Sequence, residues 1–166
     1  MPGVAGIAKA AENEKTVYEN KLEYLYGIRS YFIEEIEKLE GTVVNGGKSR
    51  GSLNRPAEDQ QDACAAPHVV SVSFQDIRAE VLLHALEETH VYVSSGSACS
   101  SNHPAISGTL KAIGVEKRYL DATVRFSFSF DTTKEEIDEC VAQLSRLLPM
   151  LRRYTPGGRK RGGKRV

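Results

Sequence analysis

Residues 93–101 read Val-Ser-Ser-Gly-Ser-Ala-Cys-Ser-Ser, one thiol among five serines and a glycine. Such a stretch holds almost nothing that packs, so Cys99 is expected on a displayed, mobile loop. A displayed thiol is a candidate nucleophile, although at an unperturbed pKa of about 8.5 only a few per cent of it is thiolate at neutral pH. The segment from Ser94 to Cys99, fully extended, spans about 20 Å at roughly 3.3–3.6 Å per residue. His103 is the single nearby group that could assist ionisation; it precedes Pro104, and it is read as a loop residue without a role. The other thiols differ in setting. Cys64 ends a polar stretch and receives no role, whereas Cys140 falls between Ile137 and Leu144 on an apolar helix stripe and is expected to pack as a small hydrophobe. Three cysteines without a Cys-x-x-Cys pair argue against a disulfide framework or a zinc site. His68, His84 and His90 are scattered, which suggests no metal cluster. Arg125, read from the residues alone, could pair with a structural acid.

The elements that must position these groups follow from periodicity. Residues from about Val4 to Leu39 read as helix, with Leu25, Ile28, Phe32, Ile36 and Leu39 on one face, a bend or break near Gly27 and a C-cap at Gly41. A short strand, Thr42–Val44, is stopped by the turn-forming Asn45-Gly46. Residues 46–67 are polar and nearly free of large apolar side chains, so they form a long loop. Val70, Val72 and Phe74 alternate as a half-buried strand does, and a helix follows with Val81, Leu82, Ala85 and Leu86 inward. Val91–Val93 is expected as a brief strand leading straight into the Cys99 loop. "SGTLKAIG" reads as a short helix closed by Gly114. In "TVRFSFSF", Val124, Phe126, Phe128 and Phe130 face one way and Thr123, Arg125, Ser127 and Ser129 the other. Thr133-x-x-Glu136 is a capping box opening a helix with the stripe Ile137, Val141, Leu144, Leu148 and Leu151. Helices and strands mix without a regular βαβ repeat, so the fold class is α+β.

Composition sets outer bounds. A chain of 166 residues with 40% apolar and 27% charged residues suits one globular domain. No apolar run is long enough to span a bilayer. The N-terminus lacks a secretory signal pattern, and a cytoplasmic protein is expected. The net charge of zero hides an asymmetry: the residues from Arg152 onward hold seven Lys and Arg and no acid. Residues 1–154 are read as the domain and 155–166 as a basic tail without fixed structure. Nucleic-acid binding through that tail is a weak reading, since no aromatic platform supports it.

"SSGSACSS", then "GTLKAIG", then "TVRFSFSFDTTKEEID", in this order and spacing, resemble the C-terminal region of the NifS/IscS-type cysteine desulfurases, pyridoxal-phosphate enzymes of the class-V aminotransferase group. The opening "PGVAGIAKA" is similar to the helix after that family's Gly-Thr-Glu-Asn segment. The resemblance covers roughly Pro2 to Arg153 apart from the 46–67 loop. It implies a long N-terminal helix followed by the small C-terminal domain of a fold-type I pyridoxal-phosphate enzyme, a small sheet with helices packed on it. It also implies that Cys99 takes sulfur from L-cysteine as a persulfide, releasing alanine, and that Arg125 binds the substrate carboxylate. A homodimeric complete enzyme and a sulfur acceptor, such as an iron–sulfur scaffold or a thiolation protein, follow from the same resemblance. No His-Lys dipeptide is present to supply a Schiff-base lysine, and no residues for binding the cofactor are assigned. The chain is therefore expected to act only with a pyridoxal-phosphate-binding half. The alternative is a stand-alone sulfur-relay or docking module without carbon chemistry of its own.

Overall fold

The computed structural model describes residues 2–46, 66–95 and 107–154, with the backbone alone for 13–19. Helix α1 (Pro2–Ile36) is followed by strands β1 (Thr42–Asn45) and β2 (Val69–Phe74), helix α2 (Ala79–Glu87) and the two-residue strand β3 (Ser94–Ser95). A short helix α3 (Gly108–Ala112), a 3-10 turn (Lys117–Tyr119), strand β4 (Thr123–Ser127) and helix α4 (Lys134–Tyr154) complete the order. The strands form one antiparallel sheet in the order β1-β2-β4-β3. The α+β class and the small sheet with packed helices are those read from the sequence.

One sheet face is apolar because alternate residues point to it. Val44, Val70, Val72, Phe74, Val124 and Phe126 join Ile28, Phe32 and Ile36 of α1, Leu82 and Leu86 of α2, and Ile137, Leu144 and Leu148 of α4 in one cluster. Phe32 sits at its centre, with ring centroids 4.8 Å from Phe126 and 5.2 Å from Phe128. The capping box forms as expected: the Thr133 backbone N–H donates to Glu136 Oε2 at 2.9 Å, and the Glu136 N–H donates to Thr133 Oγ1 at 3.3 Å. The helix it opens continues through Pro149.

Several local expectations change. Helix α1 runs unbroken through Gly27. It also ends at Ile36, so Gly41 is not its cap; Gly41 instead takes φ +71° in the turn before β1. There the Arg152 guanidinium donates to Glu40 O and Gln75 O, and an ideal Cβ on Gly41 would lie 2.7 Å from Arg152 Nη2. The basic run thus begins inside an ordered helix. Val81 is 46% exposed, because Ala79, Leu82 and Leu86 already fill the inward side of the short α2. Strand β4 stops at Ser127, and Phe130, beyond it, lies exposed under Lys21 Nζ.

Val91–Val93 is not a strand. Val91 and Val93 pack against the core while Tyr92 is 75% exposed, so the alternation is right, but ladder pairing with β4 begins only at Ser94. The two segments splay there around a cleft of about 120 Å³ lined by Val91–Val93, Phe126–Phe128, Phe32 and Cys140.

Candidate functional site

The sheet face opposite the core carries the polar chemistry. Residues directly opposite on neighbouring strands project to the same side, and the register aligns two rows across it. The first row comprises Val43, Ser73 and Thr123. The second crosses all four strands: Asn45 faces Ser71, Ser71 faces Arg125, and Arg125 faces Ser94.

The first row is chemically closed. Asn45 Nδ2 donates to Ser73 Oγ at 2.8 Å, and Thr123 Oγ1 donates to Tyr119 O at 2.8 Å. Thr123 has one hydroxyl hydrogen, so across the 2.7 Å contact of the two hydroxyls it is Ser73 that donates and Thr123 that accepts. Every hydrogen in that relay is used. Ser73 is fully buried and Thr123 is 8% exposed, and for hydroxyls at such depth each bond matters, since an unmet one costs about 1–3 kcal/mol. Sequence alternation sets Thr123 on the face of β4 opposite Val124 and Phe126; it is on that face, and buried.

The second row is open. Arg125 is exposed, and among the described residues its guanidinium makes no hydrogen bond or ion pair. Ser71 Oγ accepts from Asn45 Nδ2 at 3.4 Å, while its own hydroxyl hydrogen, like the hydroxyl of Ser94, has no acceptor among the described residues. An unpaired arginine between two half-buried hydroxyls can receive an anion. The fork geometry matches two oxygens of a carboxylate or a phosphate.

Cys99, His103 and Cys64 lie outside the described residues. Ser95 pairs with Val124, next to Arg125. Cys140 is half-buried and packs against the core; burial first, and the charge of Glu139 second, push its thiol up to about 12. It is therefore a thiol and not a thiolate at neutral pH. His68, His84 and His90 are exposed, and no cluster able to hold a metal occurs among the described residues. Sequence reasoning passed over Ser71, Ser94 and Asn45 because an isolated serine or asparagine carries no signal; only strand register aligns them with Arg125. It also passed over Arg29, 3% exposed on α1, whose pKa is lowered by burial despite the raising influence of Tyr26.

A pyridoxal site requires a lysine in a cavity and an acid for the ring nitrogen. Lys9 and Lys38 are engaged in surface pairs with Glu12 and Glu35, Lys21 and Lys134 lie over the rings of Phe130 and Tyr31, and Lys111 and Lys117 are exposed. None of these lines the cleft. The described residues do not fit the cofactor.

Comparison with known proteins agrees with the fold. The chain is 32% identical over 157 residues to the cysteine desulfurase IscS of Dictyoglomus turgidum, covering 94% of this chain and 36% of that protein. It is 31% identical over 153 residues to the cysteine desulfurase IscS of Vibrio atlanticus, covering 92% and 34%. A solved NifS-like protein superposes with a TM-score of 0.67 at 25% identity, over 90% of this chain and 34% of that one. A NifS-like protein from Rickettsia africae shares the fold with the same TM-score at 14% identity. The chain spans about a third of the length of these relatives. The class-V aminotransferase pattern matches residues 3–140, more than half of the sequence, and the chain belongs to that family.

Proposed function

We propose that this chain is the persulfide-forming part of a cysteine desulfurase. Cys99 takes the sulfur of L-cysteine: a sulfur–sulfur bond forms as the substrate's carbon–sulfur bond breaks, and the carbon retains that electron pair and is protonated to give alanine. Arg125 holds the substrate carboxylate. The observation that carries this reading is the β3–β4 pairing. It roots the cysteine-bearing segment at Ser94–Ser95, directly beside an arginine with no partner among the described residues. The desulfurase relatives supply the reaction type.

The pyridoxal phosphate and its lysine come from another portion of the enzyme. Helix α1 supports such a partner: its residues 2–12 are exposed, with Val4 at 63% and Ile7 at 73%. Two branched apolar side chains one turn apart on an uncovered helix form a seam that a second body would bury. The complete enzyme acts in the cytoplasm as a homodimer and passes the sulfur to an iron–sulfur scaffold or a thiolation protein.

The test is to supply sulfur and find where it lands. The chain is incubated with a small-molecule persulfide donor and, separately, with L-cysteine and the pyridoxal-binding portion of a desulfurase. Peptide mass spectrometry is expected to find one added sulfur on the Cys99 peptide in both, with alanine released in the second. Cys99→Ser is expected to abolish transfer and keep the fold. Persulfide persisting in that variant, or gathering on Cys64, would show that the wrong thiol has been chosen. Labelling by the donor with no alanine in the reconstituted mixture would make the chain a relay module instead.

A further inference from the structure

We propose that the hydroxyls of Ser71 and Ser94, one on each side of Arg125, complete a cradle for the carboxylate of a small amino acid. The inference rests on the reading of Arg125 given above and adds two positioning residues to it. Antiparallel strands lie about 4.8 Å apart, and directly opposed residues bring their Cβ atoms to about 4.5–5.5 Å. Ser71 and Ser94 are the residues directly opposed to Arg125 on its two neighbouring strands. Both are half-buried, so they are less hydrated than the exposed guanidinium they flank.

Hydrogen counting separates these serines from the others on the face. Ser73, one row away, spends its hydroxyl hydrogen on Thr123. Ser71 receives the remaining amide hydrogen of Asn45, which orients its lone pair toward β1 and frees its O–H hydrogen for an acceptor on the other side. That other side is Arg125. The Ser94 hydroxyl has neither donor nor acceptor among the described residues. A carboxylate offers about four lone-pair positions, of which the arginine fork takes two. The two serine hydroxyls supply donors for those that remain. Asn45 thus serves both rows, closing one and setting the hydroxyl of Ser71 in the other.

The experiment follows binding on the chain itself, by NMR. L-alanine is titrated to a solubility-limited concentration, with L-alaninamide, which lacks the carboxylate, as the control. Alanine is expected to shift the backbone amides of Ser71 and Ser94 together with Arg125 Nε, and alaninamide is not. Ser71→Ala and Ser94→Ala are each expected to weaken the apparent Kd by roughly tenfold, the effect of one hydrogen bond to a charged group. Ser127→Ala, on the same face of β4 but outside the row, is expected to leave it unchanged. If both serine variants bind as the parent does while Arg125→Gln abolishes the response, the arginine acts alone and the cradle is wrong. If the parent shows no response, the cradle is wrong as well. In either case sulfur labelling of Cys99, which needs no carboxylate when the donor is a small persulfide, still decides the proposed function independently.

Discussion

The two faces of the four-stranded sheet are built from the same strands and do opposite work. On one, Val70, Val72, Phe74, Val124 and Phe126 are at most 4% exposed and meet three helices. On the other, Ser71, Ser73, Thr123 and Arg125 stand at the intervening positions. Burial is not what separates them, since Ser73 is as buried as Phe74. The difference lies in how each face is satisfied. The apolar face needs only shape and area, so its energy is spread over many contacts. The polar face needs each hydrogen to find an acceptor, so its energy is concentrated in a few bonds. Where the relay from Asn45 through Ser73 to Thr123 closes, the face is structural. Where hydroxyls and a guanidinium have no partner among the described residues, the face is not closed on itself.

That contrast can be broken at its strongest point first. Phe32→Ala removes the ring that touches Phe126 and Phe128 and is expected to cost about 3–5 kcal/mol in denaturant unfolding. A loss below about 1 kcal/mol would mean that the apolar face does not hold the fold. Ser73→Ala deletes the middle of the closed relay, strands one hydrogen of Asn45 and leaves Thr123 Oγ1 without its donor. A loss of about 1–3 kcal/mol is expected, with no change in m. The outcome that would contradict the hydrogen count is a neutral substitution.

Cys140 sharpens the comparison through pH. Burial pushes its thiol up to about 12, well above the range of an unperturbed thiol. The folded state therefore holds its proton more tightly than the unfolded one. The stability this contributes is fully present below about pH 9 and is lost as pH rises toward 12. Unfolding midpoints across that window should fall less steeply in Cys140→Ala than in the parent. At neutral pH, alkylation of the native chain should spare Cys140. Rapid labelling there would place the thiol outside the core. The smallest stability effect is expected at Arg125: Arg125→Gln should change the unfolding free energy by no more than about 0.5 kcal/mol, because the side chain has no partner among the described residues. A large destabilisation would return Arg125 to a structural role.

Much of this was legible in one dimension. The stripe of α4, the Thr133–Glu136 capping box, the alternation of β2 and the burial of Cys140 all depend on residues within a few positions of one another, and all appear as read. The misreadings share a cause. Val81 is apolar and helical, yet a short helix has only one inward side, already filled. Val91–Val93 alternates as a strand does, yet it splays from β4 around a cleft and finds no ladder. Gly41 punctuates the chain as expected, but its positive φ belongs to the turn before β1 and not to the end of α1, and its missing side chain leaves room for Arg152. In each case a local preference was correct and a distant neighbour decided its use.

The sequence by itself determined the apolar periodicities, the α+β class and the placement of a lone thiol in a serine-rich segment. These are properties of residue type and spacing, which the chain carries before it folds. Only the tertiary structure decided that Asn45, Ser71, Arg125 and Ser94 stand in a single row, and that Ser73 and Thr123 do not. The reason is strand register. Residues as far apart as 45 and 125 become neighbours only when antiparallel ladders align them, and a slip of one residue would turn every one of them into the core.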